Sequence, residues 1–139
     1  MKIGIMGGTF NPIHNAHLLI AEMAREEYGL DLVIFITDGN PPHKSANVTA
    51  KQRFEMTHIA IADNSAFEED DFEINRSEKS YTVNTLGYLK EKYPNDDLFF
   101  IIGEDSLNDF DKWYKPDKIL EMCSLLVFPR KSLKSLTET

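Results

Sequence analysis

Two unbroken apolar runs constrain this chain more than any other feature. Leu32-Val33-Ile34-Phe35-Ile36 and Leu98-Phe99-Phe100-Ile101-Ile102 carry no polar residue at any second position. A strand with one wet face alternates. Runs like these suit strands covered on both sides, as in a parallel sheet between helices. The segments between them fit that reading. Residues 2–6 alternate apolar and small side chains and run into Gly7-Gly8, a strand ending at a tight turn. Residues 15–28 place Leu18, Leu19, Ala21, Met23, Ala24 and Tyr28 at helical spacing, with Gly29 as the stop. Gly39, Asn40, Pro41 and Pro42 form a loop. Thr49-Ala50-Lys51-Gln52 reads as a capping box opening a helix to about residue 62. Asp71–Ile74 is a fainter strand pattern. Thr82–Tyr93 is helical, with Val83, Leu86 and Leu89 on one face, and Thr82 is suited to cap it. Residues 104–110 and 116–122 read as short helices and Ser124–Phe128 as a last strand. The order β-α-β-α-β-α-β-α-β predicts an α/β fold, a parallel sheet of about five strands with helices on both faces.

A chain of 139 residues suits one domain with a real core. The expected domain covers residues 1–130, and residues 131–139 form a polar tail without a core pattern. The net charge of −8 argues against nucleic-acid or anionic-membrane partners, which need a basic face. No apolar run approaches the roughly 20 residues that cross a bilayer, and the N-terminus shows no leader pattern. Cys123 is the single cysteine, in an apolar run. It therefore reads as a core residue in a protein of the reducing cytoplasm. An anionic small substrate remains open to such a chain if glycines, helix N-termini and a few placed cations build a local positive site.

The string Gly7-Gly8-Thr9-Phe10-Asn11-Pro12-Ile13-His14-Asn15-Ala16-His17 meets that requirement. It joins the first strand to the first helix, at the carboxyl edge where open α/β sheets bind ligands. Glycines let a phosphate approach the backbone, and a helix N-terminus favours negative charge. His14 and His17 are three apart and share a helix face, so both can donate to phosphate oxygens. Two incidental surface histidines remain an alternative, as does a zinc pair, although no third ligand stands at suitable spacing. Pro41-Pro42-His43-Lys44 stiffens the loop after the second strand and sets a cation at the same edge. Ser80-Tyr81-Thr82-Val83-Asn84-Thr85-Leu86, with Arg76 upstream, opens a helix whose first N–H groups suit a carboxylate. Gly103-Glu104-Asp105-Ser106, then Phe110 and Trp113, follows the second apolar strand. There Asp105 can bond a ribose hydroxyl, and Trp113, the only tryptophan, can stack on a flat ring or simply cover the core. Lys112 and Arg130 add positive charge. His58 reads as structural or exposed.

These motifs, in this order, resemble the nucleotidyltransferase superfamily with an HxGH-type motif, and within it the bacterial nicotinate-nucleotide adenylyltransferases. Ala16 stands where that family often has glycine, Asn84 where its SYTxDTL segment has aspartate, and Lys131 where proline usually follows the arginine. The resemblance implies a Rossmann-like sheet and transfer of AMP from ATP to nicotinate mononucleotide, giving nicotinate adenine dinucleotide and pyrophosphate. It implies that His14, His17 and Lys44 steady the triphosphate. Gly7, Gly8, Thr9, Phe10, Gly103 and Asp105 would hold ATP, and Mg²⁺ would accompany it. Tyr81, Thr82, Thr85, Trp113 and Arg130 would hold the nicotinate mononucleotide. The family continues into an ISSTxxR-type motif that Ser132-Leu133-Lys134-Ser135 does not match, so the chain is expected to lack that C-terminal subregion. Rival readings are a relative with another acceptor, or a nucleotide-binding remnant with little catalysis.

Overall fold

The computed structural model describes residues 1–8, 10, 13, 15–39, 49–75 and 81–129. Among them, β1 (Lys2–Gly8), β2 (Leu32–Thr37), β3 (Phe67–Asp70), β4 (Asp97–Gly103) and β5 (Ser124–Phe128) form one sheet of order β3-β2-β1-β4-β5. Every pairing is parallel. The connections are α1 (Asn15–Tyr28), α2 (Ala50–Ile61), α3 (Thr82–Lys92), and then α4 (Glu104–Asn108), a 3₁₀ turn at Phe110–Lys112 and α5 (Pro116–Met122). This is the doubly wound α/β architecture that the sequence pattern predicts.

The period of two along each strand divides the core between the two faces of the sheet. Val33 and Phe35 of β2 join Ala21 and Ala24 of α1, Ile61 of α2 and Phe67 on one face. Ile34 and Ile36 join Ile3 and Ile5 of β1, Leu86 and Leu89 of α3 and Ile119 of α5 on the other. All six residues of β2 are buried, which is why its run is continuously apolar. Gly29 ends α1 at φ +65°, the left-handed position glycine takes without a side-chain penalty. The Thr49 capping box forms as expected: Gln52 N–H donates to Thr49 Oγ1, and Thr49 N–H donates to Gln52 Oε1. No described helix is long and apolar enough to cross a membrane.

Three expectations need correction. The third strand is Phe67–Asp70, not Asp71–Ile74. Phe67 is its buried anchor and pairs with Val33, whereas Asp70 Oδ1 accepts the Phe72 N–H and curls residues 72–75 into a turn. Thr82 is the first residue of α3 and not its cap. Tyr81 holds the cap position in extended geometry, and no side chain bonds there. On α1 the buried stripe is Ala16, Ile20, Ala21 and Ala24. Ala21 and Ala24 are core as expected and Leu18 packs against it, but Leu19, Met23 and Tyr28 point outward, and Ala16 and Ile20 complete the buried face.

Candidate functional site

β1 and β4 are neighbours only part of the way. Their register runs from Lys2↔Asp97 to Ile5↔Phe100 and stops. Beyond it, β1 stays with β2 to Gly8↔Thr37, and β4 stays with β5 to Gly103↔Phe128. The two strands therefore part at their carboxyl ends. The chain winds one way from β1 to β2 and the other way on the β4 side, so the parting is the switch point at which open α/β sheets bind ligands. A cleft of about 400 Å³ occupies it.

Gly7 and Gly8 form one wall, with His17 from the first turn of α1. The facing wall is Gly103 with Ser106 of α4 and Trp113, and Thr82 from the first turn of α3 adds to the lining. A Cβ on Gly7 would make only ordinary contacts, 3.9 Å from the Phe100 ring and 4.0 Å from Ile36 O. Trp113 is half-buried and braced by two rings, Phe110 at 5.0 Å and Phe100 at 6.0 Å between centroids. Its bracing fixes the indole as a wall of the cleft.

Other predicted site residues take different places. Phe10 is 3% exposed and belongs to the core, so its ring does not line the cleft. Thr85 is buried one helical turn below Thr82, and its hydroxyl donates to Glu73 Oε2 at 2.6 Å. Tyr81 stands outside the lining with its ring 4.5 Å from that of Tyr114. Asp105 is exposed on α4, where the lining residue is Ser106. Asn84 is exposed on α3. Thr9, His14, His43, Lys44, Arg76 and Arg130 lie outside the described residues.

Two cleft residues escaped the sequence reading. Asp38 follows directly after β2, a position at the carboxyl edge that the strand pattern itself marks. The Arg53 side chain, 1% exposed, donates from Nη1 to the Asp38 carbonyl at 2.6 Å. Burial pushes the guanidinium pKa down, against the pull of the Asp38 charge. Glu73 sits in the turn 72–75, where the sequence pattern predicts a strand. Asp38 and Glu73 bring carboxylates, His17 brings a donor, and glycines bring bare backbone. Among the described residues no group of three or more His, Cys, Asp or Glu converges to hold a metal ion. The cleft can seat a flat ring against Trp113 and a polar, extended group along Gly7–Gly8.

The cytidylyltransferase-like family matches residues 5–139. The chain is 48% identical over 142 residues to a protein of Citrifermentans bemidjiense named "probable nicotinate-nucleotide adenylyltransferase", covering 99% of this chain and 66% of that protein. It is 49% identical over 132 residues to the Geobacter sulfurreducens protein of the same name, covering 94% of this chain and 61% of that one. The chain thus spans 61–66% of the length of these relatives. A Vibrio parahaemolyticus structure assigned as a nicotinate-nucleotide adenylyltransferase superposes with a TM-score of 0.77 at 26% identity, over 99% of this chain and 78% of that one. Plasmodium falciparum nicotinic acid mononucleotide adenylyltransferase, complexed with NaAD, shares the fold with a TM-score of 0.81 at 23% identity, over 96% of this chain and 70% of that one.

Proposed function

The chain belongs to the cytidylyltransferase-like family, and from that premise we propose that it transfers the AMP part of ATP to nicotinate mononucleotide, releasing pyrophosphate. The observation that carries this reading is the parting of β1 from β4. It opens one cleft with a glycine and histidine wall facing a braced indole. Phosphates suit the first wall and a pyridine ring suits the second. The names of the bacterial relatives point the same way.

In this reaction a phosphate oxygen of the mononucleotide attacks the α-phosphorus of ATP. The bond from that phosphorus to the bridging oxygen breaks, and pyrophosphate leaves with the electron pair. No protein nucleophile is needed, so catalysis consists of positioning and charge stabilisation. His17, with His14 and Lys44, serves the triphosphate, and Gly7, Gly8, Thr9 and Gly103 give it backbone to lie on. Phe10 can contribute only its main chain there, because its ring is in the core. Asp105 takes a ribose hydroxyl, which requires it to turn in from the exposed face of α4. Thr82 and Trp113 hold the nicotinate, Tyr81 and Thr85 support them, and Arg130 adds charge. A divalent cation, Mg²⁺, comes with ATP, bound mainly by phosphates and water. Asp38 and Glu73 are the oxygen donors in the cleft that suit its water shell. The setting for this chemistry is the cytoplasm.

The test is pyrophosphate release from ATP and nicotinate mononucleotide, with His17→Ala beside the parent. Turnover that needs both substrates and falls in the variant supports the reading. A variant as active as the parent would remove His17 from the site. A second reading is nucleotide binding without turnover. Calorimetry showing mononucleotide binding with no pyrophosphate release would favour it.

A further inference from the structure

Phe10 combines three features that a mere core residue does not need. Its backbone is left-handed, at φ +48°, a conformation that bulky side chains resist and that persists only where the surroundings enforce it. Its ring meets His17 edge to face, with centroids 5.1 Å apart and planes at 81°. The ring also lies against Gly8, where a Cβ would stand 3.0 Å from Cε1 and 3.3 Å from Cδ1. Phe35 backs the ring from the core at 6.1 Å. Phe10 is thus a wedge held between the end of β1 and the imidazole, while His17 and not Phe10 lines the cleft.

We propose that Phe10 is a positioning residue whose ring sets the His17 imidazole toward the cleft, and that Gly8 is glycine to admit that ring. The two glycines then do different things. Gly7 lines the cleft, where a Cβ would crowd none of the protein's own atoms, and lets a ligand approach the backbone. Gly8 makes room for a side chain of the same loop. What His17 is positioned for rests on the transferase reading above; the positioning itself does not.

The experiment is a double-mutant cycle of Gly8→Ala and Phe10→Leu, with Phe10→Met as a second ringless variant should leucine fail to fold. Three readouts are taken: the imidazole resonances of His17, assigned with His17→Gln; the thermal midpoint; and the kinetics of pyrophosphate release. Removing the ring moves the His17 resonances and leaves those of His58, on α2, in place. It lowers kcat by about ten- to a hundredfold, the scale on which misplaced groups act, with the KM for ATP changed by less than about twofold. Gly8→Ala alone does the same with the phenyl ring still present, but adds almost nothing in the ringless background, because the two changes share one contact. Equal effects of Gly8→Ala in both backgrounds, or unmoved His17 resonances in both ringless variants, would overturn the proposal. If the parent does not turn over the two substrates, the transferase reading fails, while the resonances and the cycle of midpoints still decide the role of Phe10.

Discussion

Gly39 crosses the turn 72–75 so closely that a single methyl group should be felt across the protein. A Cβ there would lie 2.3 Å from Glu73 O and 2.6 Å from Ile74 Cα, both backbone atoms. A Cβ essentially never stands within 3.0 Å of a heavy atom outside its own and adjacent residues. In Gly39→Ala the two backbones must therefore part by at least about 0.7 Å, from 2.3 to 3.0 Å. Neither side is free to yield. Asp38 N–H donates to Gly8 O at 2.9 Å, and the Asp38 carbonyl accepts from Arg53. Opposite, Phe72 is tied to Asp70 and stacked on Tyr88 at 4.2 Å. Moving the turn also draws Glu73 from the buried Thr85 hydroxyl. Overpacking costs about 1–3 kcal/mol, and a buried hydroxyl losing its acceptor costs about 1–3 kcal/mol, so a total of roughly 2–6 kcal/mol is expected. Unfolding entropy scales with chain length, which for this chain gives about 3–4 °C per kcal/mol. The midpoint in a calorimetric or circular-dichroism melt should fall by about 6–24 °C. A fall of less than about 2 °C would show that the crossing is not a rigid contact and that the reasoning is wrong.

Other outcomes follow from the same geometry. Gly87→Ala on α3, where a Cβ meets nothing within 4 Å, should raise the midpoint through an added helix preference of about 0.5–1 kcal/mol; a lower midpoint would mean that the helix surface there is not open. Burial pushes the Cys123 thiol from 9.0 up to about 11. That leaves about a hundredfold less thiolate near neutral pH. Folded protein should therefore react with a disulfide reagent about a hundredfold more slowly than a free thiol, and prompt labelling would contradict this. Burial first, then the bond to Asp70, raises the Tyr88 pKa above 10.0. Burial alone would lower the Lys92 pKa, but its bond and charge pairing with Asp70 outweigh that and raise it above 10.5. Both groups hold protons more tightly folded than unfolded. Their contribution is full below about pH 10 and is lost as pH rises through the folded values. The denaturant midpoint should decline above pH 10, less steeply in Tyr88→Phe; identical slopes would remove Tyr88 from the account.

The architecture was legible where burial is two-sided and hidden where it is not. β2 and β4 announce themselves because nearly every residue is covered. β3 escaped because an edge strand with one apolar residue, Phe67, and three acidic ones, of which Asp70 is itself buried, carries no apolar pattern. Phe72 and Ile74, which mimic alternation, serve a turn instead. In α1 Ala21 and Ala24 were legible as core, whereas Leu19, Met23 and Tyr28 are exposed and Ile20 is buried in their place. At the site, Gly7, Gly8, His17, Thr82, Gly103 and Trp113 come together from positions far apart in sequence. Their types and places beside strand ends made them readable. Asp38 and Glu73 were not, because a lone acid near a turn has many uses. Nor was the reason for Gly8, since a glycine's purpose depends on which atom occupies the space it leaves, and here that atom belongs to Phe10.

The partial pairing of β1 with β4 also has a history in time. Lys2 pairs with Asp97, and the Met1 ammonium bonds Asp96 at 2.6 Å across 95 residues of chain. A ribosome adding about 5–20 residues per second takes about 5–20 s to cover that distance. For that interval β1 can pair with β2, but its other edge is bare, with unpaired N–H and C=O groups ready for any passing strand. The glycine loop is thus made early and its opposite wall late. Nascent chains halted before residue 97 should carry the loop without a cleft, and should be the forms of this protein most prone to stick to one another.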